Sequence, residues 1–583
     1  MIRVPRASTQ SVVNITCSIS VSFSLIHVRE SRSCRVLTYT LGNPKSCDWG
    51  DICWGQFISQ DGLHWQHNGV DPVLEPQLPY EDKGVFTGCM YPTGPHGEKD
   101  QLTLIYSSVN HLPIHWTIPY TRNCAGLALA TSDDAGRTWH KSNLNPILNG
   151  EPEGLVVTGF RDPYLAEWPA LDKARNKGEK RLYGIVSGGI VGKGPAAFLY
   201  EVVPSDLTTW TYIGPLADIP VGFHGPSHWE GDYGINWECV NFMTLSDGME
   251  ECSILTMGTE GGLDQRYHKD QENENDEVTS HRTWTLWMGV SVQELDGYPT
   301  TYDFGGILDN GDLYAPNSYK HPVTGEMIVW GWIKEEDLTL SRREHKGWAG
   351  YLSLPRELFL LRLPNVVRTL KSSLEDISSL KLVDDKASMG KSAYTLGIRP
   401  LSTLKSLRPQ ASIIWSSIST ENNTPRLLAT PRSANWELHN IIKVRQGLKR
   451  VGFYVRHDEM RSYTTTIYFA VDEEQIIVDK TSSNSEADIQ KNVLTGPFTL
   501  FISEQEGTEV TEDLHLHIFS DGDVVEIFAN DRFALSTTVY ADAQTCLGIS
   551  CFMEGESQSS GTFETIELWQ GLQNINSTVK SMI

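Results

Sequence analysis

Ser59-Gln60-Asp61-Gly62-Leu63-His64-Trp65 recurs as Ser132-Asp133-Asp134-Ala135-Gly136-Arg137-Thr138-Trp139, and again, shortened, as Ser205-Asp206-Leu207-Thr208-Thr209-Trp210. The starts lie 73 residues apart both times. The pattern reads as a turn in which an Asp side chain bonds local backbone, closed by a Trp that packs into a core. A second series is offset from the first: Phe86-Thr87-Gly88, Phe160-Arg161-Asp162-Pro163, Trp237-Glu238-Cys239 and Leu308-Asp309-Asn310-Gly311. Two interleaved series with one period mean one supersecondary unit repeated. Between the markers run short alternating stretches such as Leu102-Thr103-Leu104-Ile105-Tyr106, separated by Gly, Asp and Asn turns, which predict strands. Repeated four-stranded units stack radially as propeller blades. Counting from near residue 13 to about 365 gives five blades.

Working outward, residues 366–389 shift to Lys, Ser, Leu and Asp and predict a short, partly helical linker. Residues 390–583 lack the blade markers. Leu514–Phe519, a Ser520-Asp521-Gly522-Asp523 turn and Val524–Phe528 read as a hairpin, and many such strands predict a β-sandwich. The fold expected is all-β: a five-bladed β-propeller over 1–365, with 1–34 atypical, a linker, then the sandwich.

Composition bounds the function. The 583 residues are 39% hydrophobic and hold 17 Trp and 21 Tyr, ample for large cores. Against 48 Lys and Arg stand 73 Asp and Glu, a net charge of −25, which repels nucleic acid and anionic membrane surfaces. No apolar run is long enough to span a bilayer. Ten Cys do not make a disulfide framework, and Cys47 and Cys53 have no partners that complete a zinc set. Pro113 breaks the helix that His111 and His115 would need to bind zinc. Neither a phosphate loop nor a G-x-S-x-G elbow is present. The sequence calls for no metal and no cofactor. Residues 11–28 are moderately apolar but interrupted by Ser and Asn, with no clear cleavage site. Sequons stand at Asn14, Asn422 and Asn576. Compartment and oligomeric state stay open.

If the second series lines a common axis, Asp162, Glu238 and Asp309 converge on one funnel. Unpaired buried carboxylates are costly, so convergence points to function, and a pair about 5 Å apart suits a retaining glycosidase. Trp116, Tyr120, Trp237, Trp284, Trp287 and Tyr314 suit stacking on sugar faces. The plainer reading makes them turn-forming acids and core aromatics.

Phe160–Pro163, Trp237–Cys239, Gly347-Trp348-Ala349-Gly350-Tyr351-Leu352-Ser353-Leu354-Pro355-Arg356-Glu357-Leu358 and Val525–Asn530 together resemble glycoside hydrolase family 32, that of invertases, inulinases and fructosyltransferases. Leu112–Tyr120 and Thr259-Glu260-Gly261 are similar to its fungal branch. The resemblance covers roughly 36–583. It implies a five-bladed propeller with a sandwich, and retaining cleavage or transfer of terminal β-D-fructofuranosyl units of sucrose or fructo-oligosaccharides. It implies Glu238 as acid/base, Asp162 as transition-state stabiliser and Arg161 as the residue that orients Asp162. Glu260 would hold the glucose unit, with Phe86, Thr87, Trp237, His281, Asp309 and Tyr314 also binding substrate. The family's nucleophilic Asp should stand on the first strand of the first blade. Residues 1–47 contain no Asp and a single Glu, Glu30. Residues 1–34 are therefore expected to pack poorly as that strand. Two rivals follow: a fructoside-binding chain without chemistry, or a sequence whose first residues are mis-assigned. A sialidase-like propeller, suggested by the box at 132–139, is argued against by Trp237-Glu238-Cys239.

Overall fold

In the computed structural model the described residues are 16–20, 26–30, 33–43, 45–47, 50–67, 72–224, 228–262, 283–295, 297–384, 391–419, 424–556 and 561–572. They form seven sheets, and their two α-helices, Pro169–Ala174 and Leu340–Lys346, are short. Neither is long and apolar enough to cross a membrane.

Three sheets have four strands each and are built in chain order: 84–91 to 140–141, 157–167 to 206–215, and 236–246 to 298–309. Sequential antiparallel pairing follows from short apolar runs joined by tight turns. The turn boxes do what their residues dictate. Asp61 accepts from the Leu63 and His64 amides, Asp134 from those of Arg137 and Thr138, and Asp206 from that of Thr208.

One irregularity repeats. The strands Gly84–Tyr91, Val157–Glu167, Asn236–Ser246 and Leu313–Lys320 each open their sheet, and each carries a bulge near its start: between Val85 and Gly88, Arg161 and Tyr164, Glu238 and Asn241, Tyr314 and Asn317. Asp162, Cys239 and Ala315 take left-handed φ of 61°, 50° and 49° there, a conformation that costs about 1–3 kcal/mol away from glycine. Equivalent positions are thus Val85, Arg161, Glu238 and Tyr314, spaced 76, 77 and 76 residues. The fourth member of the series is Tyr314-Ala315, not Leu308-Asp309. Asp309 instead ends the outermost strand of the preceding sheet, Tyr298–Asp309.

The first sheet joins Cys53–Ser59 and Trp65–His67 to Ser33–Asn43. Against that last strand pair both Thr16–Ser20, at Leu41–Asn43, and Ile26–Glu30, at Ser33–Leu37. Thr16–Ser20 also runs parallel to Trp348–Ala349. On the backbone, then, the first sheet has the inner pairing it was expected to lack. Residues 16–20 include no carboxylate, and Glu30 pairs with Ser33, at the end of the sheet remote from Trp348.

An eight-stranded sheet continues Leu313–Lys320 and Met327–Ile333 into Arg356–Thr369, then into Lys391–Pro400, Lys381–Asp384 and Phe501–Gln505. The stretch expected as a partly helical linker, described to residue 384, ends the strand Arg356–Thr369, holds a single 3-10 turn, Leu374–Asp376, and closes in the short strand Lys381–Asp384. The remaining described strands form a β-sandwich of two six-stranded sheets, with Trp436, Leu438, Phe453, Ile467, Leu516 and Phe563 buried between them.

Candidate active site

The bulges bring Asp162, Glu238 and Tyr314 to one place, and the end of the strand Glu251–Glu260 adds Glu260. Arg161 Nε and Nη2 donate to Glu238 Oε1 at 2.9 and 2.7 Å, and Nη2 also donates to Glu260 Oε2 at 3.0 Å. Asp162 Oδ2 lies 4.0 Å from Arg161 Nε. Tyr314 Oη donates to the other Glu238 oxygen, Oε2, at 2.7 Å. Asp162 and Glu238 therefore share Arg161 Nε as a neighbour, at 4.0 and 2.9 Å, which brings both carboxylates to one side of the same guanidinium.

Local structure sets each side chain. Cys239 is pushed into left-handed φ by the bulge, and its amide donates to Asp162 Oδ2 at 3.2 Å. Thr87 also bonds that carboxylate, and the Asp162 amide donates to Ser107 Oγ at 2.8 Å. The resemblance implied that Arg161 orients Asp162. Its hydrogen bonds go instead to Glu238 and Glu260, and Asp162 is oriented by backbone and Thr87. Two glycines leave the room needed. A Cβ on Gly159 would stand 2.7 Å from Arg161 Nη1, and one on Gly258 would stand 2.8 Å from the Tyr314 ring. Asn236, which the sequence reading passed over, donates to Glu260 Oε2 at 2.8 Å and accepts from Thr158 at 2.9 Å. Its only signal was adjacency to Trp237.

The charges do not balance: three carboxylates face one guanidinium. Burial works against the Arg161 charge, yet Glu238, Glu260 and Asp162 hold it protonated. Burial is also the main force on the acids, with Glu238 adding repulsion. Asp162 is raised to about 6 despite Arg161, and Glu260 to about 7. Burial and then Glu238 push the Tyr314 hydroxyl well above its ordinary value, so it stays a phenol and a donor. The Glu238 and Glu260 side chains keep 20% and 13% exposure, Asp162 only 4%. The cluster thus opens to solvent through its glutamates. With Glu260 raised to about 7, the cluster is held short of full ionisation near neutral pH, and its carboxylates can stabilise positive charge.

Other expected residues lie elsewhere. Asp309 is outside the cluster: its carboxylate accepts from Arg356 Nη1 at 2.8 Å and from Ser536 Oγ at 2.9 Å. Its Asp-Asn-Gly sequence marks a turn rather than the repeat's bulge. Trp237 has 0% exposure, donates to Tyr233 O and packs in a core, so its ring offers no face to a ligand. Trp284 and Trp287 are buried likewise. Trp116 is half-buried and lies against Gly261, beside Glu260. Phe86 is half-buried and, like Tyr120 and Ile114, packs against Val109, Cys124 and Ala125. His281 lies outside the described residues. Toward the other ends of the same strands is a cavity of about 960 Å³, lined by Met90, Tyr164, Phe242, Asn317 and Phe359 among others.

Comparison with known proteins places this geometry. The model of the glycosyl hydrolases family 32 N-terminal domain matches residues 38–369, and that of the family 32 C terminal matches 403–570. A β-fructofuranosidase, insoluble isoenzyme 1, from Oryza sativa subsp. japonica is 26% identical over 349 residues, which is 58% of this chain and 52% of the rice protein. The chain thus spans about half the length of that relative. The acid β-fructofuranosidase of Vicia faba is 24% identical over 549 residues, 91% of this chain and 76% of its own. Among solved structures, Aspergillus kawachii β-fructofuranosidase complexed with glycerol superposes with a TM-score of 0.84 at 27% identity, covering 95% of this chain and 93% of its own. Fructosyltransferase from A. japonicus gives 0.82 at 24% identity, covering 96% and 94%, and supports the fold alone.

Proposed function

The chain belongs to glycosyl hydrolase family 32, and from that premise we propose that it is a retaining glycosidase acting on terminal β-D-fructofuranosyl bonds of sucrose or fructans, by hydrolysis or fructosyl transfer. The observation that carries this is the Arg161-centred cluster, in which Glu238 and Asp162 are drawn to one guanidinium and Glu238 opens to solvent. Glu238 is the acid/base. Arg161 and Tyr314 grip its two oxygens, which fixes the direction of proton delivery to the glycosidic oxygen. Asp162, rigidly bonded and buried, stabilises oxocarbenium charge on the fructosyl ring. Phe86 and Thr87 border it. Glu260, steered by Asn236 and flanked by Trp116, holds the departing or accepting sugar through charge-assisted hydrogen bonds. In this reading the first five sheets are the five blades of a propeller. The divide from the sandwich falls within the shared eight-stranded sheet, between Thr369 and Lys391.

A retaining reaction also needs a carboxylate attacking from the face opposite Glu238. Residues 1–47 carry no Asp, so the test supplies a substitute. Sucrose turnover is followed for residues 1–583 and for Glu238→Gln, with and without added formate. Formate attacks the fructosyl carbon in place of the carboxylate, and its ester then hydrolyses. Product formation that falls at least ~100-fold in Glu238→Gln, the scale of acid/base loss, supports the proposal. Fructoside binding without turnover under either condition favours the binding-only rival. Neither binding nor turnover overturns both.

A further inference from the structure

The geometry points to the sandwich strand Phe533–Thr538 as a clamp that positions Tyr314 on the acid/base, with Asp309, Gly311 and Ser536 as positioning residues. This rests on the reading of Glu238 as that acid/base. Tyr314 is only two residues beyond the turn 309–312, and that turn is bonded to the sandwich as if it were a strand of it. The Asn310 amide donates to Ala534 O at 2.9 Å, and the Asp312 amide to Ser536 O at 2.6 Å. In return the Ser536 amide donates to Asp309 Oδ1 at 3.0 Å, Ser536 Oγ to Asp309 Oδ2 at 2.9 Å, and Thr537 Oγ1 to Asp312 Oδ2 at 2.6 Å. Asp309 Oδ1 also accepts from the Gly311 amide at 2.8 Å, closing the turn on itself.

Behind the turn sits Arg356, which donates to Asp309 and to Glu526 at 2.8 Å each and also to Ser536. Glu526 Oε1 accepts from the Leu354 amide at 2.7 Å. Three segments far apart in the sequence meet here: Leu308–Gly311, the end of Gly347–Leu358, and Val525–Asn530. The fit has no slack. A Cβ on Gly311 would stand 2.0 Å from Ser536 O, and the Tyr314 ring already abuts Gly258. Any displacement of the turn therefore moves Tyr314 Oη relative to Glu238 Oε2, now 2.7 Å away. Displacements near 1 Å in such contacts cost on the order of 100-fold in rate.

The test reads the Tyr314–Glu238 bond directly, without turnover. The full chain is labelled with 3-fluorotyrosine, and the Tyr314 ¹⁹F resonance is assigned by its loss in Tyr314→Phe. Glu238→Gln marks the resonance of a hydroxyl that has lost its carboxylate. We expect Gly311→Ala and the milder Ser536→Ala to move the resonance in that same direction, while Ser536→Thr, which keeps the hydroxyl, restores it. Arg342→Ala, which breaks a different propeller–sandwich contact at Asp488, should leave it in place. The clamp is overturned if the resonance stays put in Ser536→Ala and Gly311→Ala, if Arg342→Ala moves it equally, or if Glu238→Gln has no effect on it. Because the readout needs no substrate, a chain inactive on fructosides can still pass it, and an active one can still fail.

Discussion

Two buried clusters in this molecule are built on the same formula, one arginine among acids, and they do opposite things. At Arg356, Asp309 and Glu526 the ion-paired side chains are 0–1% exposed, and every carboxylate oxygen accepts from a protein donor. At Arg161 there are three acids, two of them partly exposed, while each arginine alike leaves one nitrogen, Arg161 Nη1 and Arg356 Nε, without a hydrogen-bond partner among the described residues. Closing every acceptor with protein makes the first cluster a joint between domains. Leaving charge in excess and acceptors open to solvent makes the second a site. Burial of acids alone, the signal sought in the sequence, does not separate the two; the number of acids per arginine and the openness do.

Breaking each cluster should therefore fail differently. The largest effect expected is on chemistry: Glu238→Gln lowers fructoside turnover by ~10²–10⁴-fold while its thermal midpoint stays near that of the parent. Normal turnover in this variant would remove Glu238 from its role. Arg356→Ala should do the reverse. It leaves two acids buried without their cation, at a cost of about 3–5 kcal/mol, seen as an earlier urea or thermal transition. A variant as stable as the parent would mean that the joint is not held by charge.

Smaller effects sharpen the contrast. Glu260→Ala should weaken cleavage of sucrose more than that of an aryl fructoside, since only the former presents a second sugar. Equal losses would place Glu260 on the fructosyl side. The smallest effect concerns pH. Asp162 and Glu260 have folded-state values above their ordinary ones, about 6 and about 7. Acids raised on folding favour the native state when protonated. Their contribution is complete below about pH 4, near the unfolded carboxylate values, and is lost as pH rises through 6 to 7. Glu260→Gln should thus raise the thermal midpoint at pH 7.5 and hardly change it at pH 4. A gain that is equal at both would contradict the assignment.

Much of this was legible in the sequence, for physical reasons. The Asp-turn boxes bond locally, so their chemistry is visible in a few residues, and their spacing gave the repeat. Asp162 and Glu238 followed from the same period. The fourth member was misread because a bulge has no residue signature, whereas Asp309-Asn310-Gly311 is an obvious turn. Tyr314-Ala315 occupies the equivalent place with no acid to advertise it. Trp237 differs from expectation because an aromatic beside a candidate acid/base Glu looks the same in sequence whether it faces a sugar or a core. The Arg356 joint links residues 47 and 170 positions apart, a pairing no local pattern encodes.

The most direct test of the central claim is a crystal structure of the chain with a fructoside bound. The account predicts the fructosyl ring seated against Asp162, the glycosidic oxygen within ~2.6–3.2 Å of Glu238, and the second sugar toward Glu260 and Trp116. A fructoside seated in the cavity at the opposite ends of the strands, or leaving the Arg161 cluster untouched, would contradict it.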